Sequence, residues 1–149
     1  MKNLLLSFIF LCANCFAQNF SLTFEKEKFI KYNSNDWQLA AQTTQFDLYI
    51  NKLSIATIDK VPAIHSLVEF YDPNGVKFEA FPTPIKRIYT YGVLECKNGL
   101  FHLLTSWYVD KNDEIIFTQI HEYGTYEVEV LTKNTPRNDL FLLVCSKFQ

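Results

Sequence analysis

Outside residues 1–17, this chain of 149 residues keeps two cysteines, Cys96 and Cys145, and they constrain its fold more than any other feature. The other two, Cys12 and Cys15, lie in a segment with the three parts of an export signal. Lys2 supplies the positive start, and Leu4 to Leu11 is apolar apart from Ser7. Cys15 and Ala17 are the small residues before a cleavage point, and the apolar run is too short to cross a bilayer. A buried N-terminal helix or strand is the alternative reading of the same residues. Cleavage after Ala17 delivers residues 18–149 to an oxidising compartment, where an even pair of cysteines reads as a disulfide. Closing a loop of about fifty residues stabilises a fold by about 4 kcal/mol on the chain-entropy model. Two buried free thiols are the alternative, and a metal site lacks the CxxC partner it needs.

Charge narrows the function classes. The full chain carries a formal −2, and losing Lys2 with the signal shifts the exported chain further towards acidity by a single charge. No basic run is present, which argues against nucleic acid, whose binding rests on clustered Lys and Arg. No second apolar run is long enough for a membrane helix. Lipid attachment needs a small residue directly before the acylated cysteine, but Cys12 follows Leu11 and Cys15 follows Asn14.

Phe, Tyr, Ile, Val and Thr are abundant and glycines number only four, so strands should dominate. Residues 18–36 are ambiguous, an N-terminal extension or an edge strand: Phe20, Leu22 and Phe24 alternate, but Glu25 to Lys28 reads as a charged face. Trp37 to Ala41 and Phe46 to Ile50 predict two short strands, followed by Leu53, Ile55 and Ile58 as buried positions. Ile64 to Tyr71 is a longer strand, with Ile64, Ser66, Val68 and Phe70 on one face and His65, Leu67, Glu69 and Tyr71 on the other. Asp72-Pro73-Asn74-Gly75 is a strong turn, and Val76 to Ala80 should return as the second strand of a hairpin over 64–80. A second hairpin joins Arg87–Cys96 to Leu100–Val109 through Lys97-Asn98-Gly99. Glu114 to His121 and Thr125 to Leu131 are further strands. Thr135 can cap a helix whose first turn suits Pro136, with Leu140, Phe141 and Val144 on one face. A buried strand over 140–145 is the alternative.

Residues able to carry chemistry do not assemble into a motif. His65, His102 and His121 each lie in or at a predicted strand, without zinc-ligand spacing. Glu127 and Glu129 share a strand face, the simplest account being two solvated charges. Neither a nucleophile elbow nor a glycine-rich phosphate loop is present. The most interface-like cluster is Lys86, Arg87, Tyr89 and Tyr91, with Trp37 and Trp107 as further aromatic candidates. The expectation is a non-enzymatic protein without metal or cofactor.

Trp37, the Phe46-Asp47-Leu48-Tyr49-Ile50 segment and the Leu53-Ser54-Ile55 step begin a pattern that continues to Cys145. It includes Pro82-Thr83-Pro84-Ile85-Lys86-Arg87, Tyr91-Gly92-Val93-Leu94-Glu95-Cys96, Asn134-Thr135-Pro136 and Leu142-Leu143-Val144-Cys145. In these features the chain, over residues 37–147, resembles the bacterial surface-adhesin protein E-like family. The resemblance implies an α+β, mostly β fold: an antiparallel sheet of about six strands with a C-terminal helix and one disulfide, Cys96 to Cys145. It divides the chain into a signal (1–17), the ambiguous stretch (18–36) and an adhesin-E-like domain (37–149). It also implies an exported cell-envelope protein, periplasmic or on the cell surface, with an envelope or host matrix protein as partner. A homodimer is open on this reading. The competing function is a periplasmic inhibitor or small-ligand binder, for example of the lysozyme-inhibitor type.

Overall fold

The computed structural model describes residues 29–58, 61–121 and 127–147. The expected signal (1–17), residues 18–28 and residues 122–126, including the start of the strand expected from Thr125, lie outside the described residues.

Local chemistry explains the first hairpin. The Thr43 hydroxyl accepts from the main-chain N–H groups of Gln45 (3.1 Å) and Phe46 (2.9 Å). That turn reverses the chain between β1 (Trp37–Gln42) and β2 (Phe46–Asn51). Asn51 then caps a 3₁₀ turn over Lys52–Ser54, accepting from Leu53 and Ser54. This tight turn swings Leu53 outward to 78% exposure, so the expected burial of that residue is wrong.

After β3 (Ala56–Ile58) comes β4 (Val61–Phe70), the strand on which the sheet is centred. β5 (Arg87–Glu95) and β6 (Leu100–Val109) form the second predicted hairpin, with Gly99 at φ 63 in its turn. Asp110 collects the N–H groups of Asn112 (2.8 Å) and Glu114 (3.0 Å) and steers the chain into β7 (Ile115–Ile120). β8 (Glu127–Val130) and helix α1 (Pro136–Cys145) complete the order. α1 starts as predicted, with Thr135 as N-cap and Pro136 in the first turn.

The sheet is antiparallel throughout, in the order β1-β2-β4-β5-β6-β7. β3 lies beside β4, and β8 lies beside β6. This six-strand path, the C-terminal helix and the Cys96–Cys145 disulfide (Cα–Cα 5.6 Å) are the architecture expected from the residues.

The hairpin expected over 64–80 does not form. β4 is paired along one edge by β2 and β3 and along the other by β5, leaving no edge for Val76–Ala80. That segment instead makes a single bridge, Val76 to Ile85. Two lysines organise the rest of the β4–β5 connection: Lys77 Nζ donates to the carbonyls of Phe81 and Pro82 (2.6 Å each). Lys86 Nζ donates to the carbonyls of Phe70 and Asp72. A Cβ on Gly75, at φ 82, would lie 2.7 Å from the Ile85 carbonyl oxygen, so only glycine suits this turn.

Both faces of the sheet are covered, because alternation along each strand sends side chains to two cores. On one face Leu48, Ile50, Ile64, Leu94 and Phe101 pack with Leu140, Val144 and Cys145 of α1. On the other, Trp37, Ala63, Leu67, Tyr89, Tyr91 and Trp107 pack beneath Phe29, Ile30 and Tyr32 of an irregular N-terminal strap over residues 29–36.

Candidate binding surfaces

The predicted cluster Lys86, Arg87, Tyr89 and Tyr91 lies on or beside β5, but its members face different surroundings. Lys86 is spent on the two carbonyls just named. Arg87 sits opposite Glu69 in the β4–β5 register and donates to it from Nε (3.0 Å) and Nη2 (2.8 Å), while Nη1 meets Asp113. Tyr89 and Tyr91 are 2% and 4% exposed. The Tyr89 hydroxyl accepts from the N–H of Tyr32 at 3.3 Å, and its pKa is raised, burial being the largest cause. The cluster is thus an anchored pair of cations at the sheet end and a pair of interior rings under the strap.

The histidines do not converge. His65 is in the interior, its ring 4.6 Å from Tyr91 and stacked at 6.2 Å on Trp107. His102 Nε2 lies 3.2 Å from Glu95 at the turn of the β5–β6 hairpin. His121 follows β7, and two strands separate β7 from the β4 that carries His65. Among the described residues no group of three His, Cys, Asp or Glu side chains is arranged to hold a metal ion. Glu129 pairs with Arg137 of α1 at 2.9 Å.

Burial pushes the His65 imidazole down to about 4. An unfolded chain takes up the same proton at the ordinary value of about 6.5. Between those two values the unfolded state binds more protons, so stability drops by about 1.4 kcal/mol per pH unit on acidification and levels off below the lower one. A His65→Leu variant is expected to lack that slope in denaturant titrations run across this window. Parallel pH profiles for the two proteins would contradict this assignment.

The accessible features lie elsewhere. Among the described residues no strand pairs with the outer edge of β7, a run of six residues, IIFTQI, without a charge. Phe117 is 46% and Ile120 61% exposed along it, and Val128 and Val130 of β8 continue the apolar margin. Phe117 also ends a band of rings on the helix side: Phe46, Phe70, Phe78, Phe81, Tyr108 and Phe117. Successive centroids are 6.0, 6.0, 6.5, 4.7 and 5.7 Å apart. Next to Phe46 in β2 but on the opposite face of the sheet, Asp47 accepts from Tyr71 (2.6 Å), Gln42 and Tyr49 (both 3.1 Å). Burial acts to raise the Asp47 pKa, but these three donors hold it below its ordinary value. Sequence reasoning missed this band, since its rings come from strands and a loop that only the register brings together. The crowding of Phe70, Phe78 and Phe81 around the proline-rich connection was its one visible sign.

No protein-family model matches the chain, and no curated protein does. Among solved structures it is similar to Haemophilus influenzae protein E. Crystal form II of that protein is 16% identical with a TM-score of 0.54, over 79% of this chain and 92% of that one. A second protein E structure is 14% identical with a TM-score of 0.53, over 82% and 92%. Protein E from non-typeable Haemophilus influenzae is 15% identical with a TM-score of 0.52, over 82% of each chain. At such identities the likeness is one of fold.

Proposed function

We propose that this is an exported, non-catalytic cell-envelope protein that binds another protein along the outer margin of its sheet. The protein E fold, the family resemblance in the sequence and the export pattern of residues 1–17 support that reading. The observation that carries it is the uncharged β7 edge. Natural sheets shield such edges with charges, prolines or covering elements, and an unshielded edge is a template for strand addition. Phe117 adds a large ring at the end of an aromatic band, the residue type most enriched where interfaces are tight. The partner is an envelope protein or a host matrix protein, and a second copy of the chain competes for the same edge. Residence is periplasmic or at the cell surface.

The test is capture of purified envelope and matrix proteins by the immobilised chain and by a Phe117→Lys variant. Because Phe117 is half exposed, the substitution should change stability by less than about 1 kcal/mol. It should weaken capture at least tenfold, since a buried lysine beside the incoming strand must be desolvated. Equal capture by both proteins would overturn the assignment of this edge.

A further inference from the structure

Residues 29–36 cross the face opposite α1 without joining the sheet. Their C-terminal end is fastened by a turn in which Asn33 Oδ1 accepts from Asn35 (3.1 Å) and Asp36 (2.9 Å), and by Lys52 N–H donating to the Asp36 carbonyl (2.8 Å). The first four residues are held differently. Among the described residues one hydrogen bond, Tyr32 N–H to the Tyr89 hydroxyl, joins their main chain to the sheet. The remaining hold is two rings, the packed Ile30 side chain and one ion pair. Phe29 stands edge-on to Tyr89 at 4.8 Å and tilts over Trp107 at 5.9 Å. Tyr32 meets Tyr49 at 5.4 Å and Trp37 at 6.2 Å. Between them Lys31 reaches Asp113 at 3.1 Å, an exposed pair.

We infer that this face is a peptide-binding groove lined by Trp37, Tyr49, Tyr89 and Trp107, which the chain's own Phe29–Tyr32 occupies and from which a partner segment of the same chemistry displaces it. That segment is extended and carries two aromatic side chains three positions apart, with a lysine between them for Asp113. Two observations favour exchange over a permanent core. The occupant contributes almost no main-chain pairing, so a competitor need only match its rings, its one aliphatic side chain and its charge. In addition, the Trp37 indole Nε1 is buried with no hydrogen-bond partner, although Trp37 is 4% exposed. An incoming peptide carbonyl can meet that donor, whereas the resident strap does not. Tethering places the strap at an effective concentration on the order of millimolar, so outside segments compete only when its grip is loosened. Tyr89, singled out from the sequence as a binding residue, would act here, and the groove is separate from the β7 edge. A negative result here therefore leaves the edge assignment standing.

Both tryptophans of the chain line the groove, which makes intrinsic fluorescence a direct reporter. The full exported chain carrying Phe29→Ala and Tyr32→Ala is titrated with a synthetic peptide of residues 29–36. A control peptide has alanine at both aromatic positions. The intact peptide is expected to restore the emission of the unaltered protein and to bind at least tenfold more tightly than the control. A Lys31→Glu chain, which keeps both rings and repels Asp113, is titrated in parallel and serves alone if the double variant does not fold. It is expected to take up the intact peptide at least tenfold more readily than the unaltered chain. Failure of the folded double variant to distinguish the peptides, or of Lys31→Glu to admit the intact one, would overturn the inference.

Discussion

Replacing Cys145 with serine is expected to lower the stability of the folded chain by about 4 kcal/mol, the largest single loss any one bond here can cause. The disulfide joins residues 49 apart in sequence, so its removal restores a wide range of open conformations to the unfolded chain. The folded state loses as well. α1 has ten residues, too few to persist in water without packing, and it covers the sheet chiefly through Leu140, Val144 and Cys145. Since domains of this size retain roughly 5–15 kcal/mol in total, the serine variant should sit near its unfolding threshold. Urea titrations of the unaltered chain with and without reductant, and of Cys145→Ser and Cys96→Ser, measure this. Both variants should match the reduced protein and be insensitive to reductant. A loss below about 1 kcal/mol would mean that the bond constrains little.

Phe101→Ala should cost about 4 kcal/mol, because a large ring leaves a closed cavity. Phe101 is 2% exposed beneath α1, and the Arg137 guanidinium lies 5.0 Å above its ring. The ring also explains Gly92 on the neighbouring strand. A Cβ there would lie 2.5 Å from Phe101 Cζ and 2.6 Å from the His102 carbonyl oxygen. Gly92→Ala alone should therefore destabilise by about 1–3 kcal/mol through overpacking. With Phe101 already shortened, the ring clash is gone and the main-chain contact remains, so the double variant should be more stable than the sum of the singles by about 1 kcal/mol. Strict additivity in denaturant titrations would show that the two positions do not share this space.

Elements defined by local chemistry were legible from the residues. Thr135 and Pro136 mark the start of α1 because capping and a preset φ need no tertiary partner. Gly99 marks the β5–β6 turn for a similar reason, being the residue that takes a positive φ without strain. The cysteine pair was legible because only two cysteines lie outside residues 1–17, and an even pair reads as a disulfide wherever the surroundings are oxidising. What escaped depends on which edges and faces other segments claim. Asp72 to Ala80 has every local feature of a hairpin, yet β2, β3 and β5 already occupy both edges of β4. Tyr89 and Tyr91 alternate with Ile88 and Thr90 in a way that identifies one face without revealing whether it is wet. The strap buries that face, and nothing in the strand's own pattern announces the strap. The aromatic band is illegible for the same reason, its neighbours being made by register across four strands and a loop.

Central to the account are the Cys96–Cys145 bond, which ties the C-terminal helix to the central hairpin, and the proposal that the chain is exported with residues 1–17 removed. Intact-mass spectrometry of the unreduced protein recovered from its native cells tests this in one step. The predicted mass is that of residues 18–149 less two hydrogens. A mass equal to residues 1–149 with all thiols intact would contradict both the export of the chain and its covalent closure.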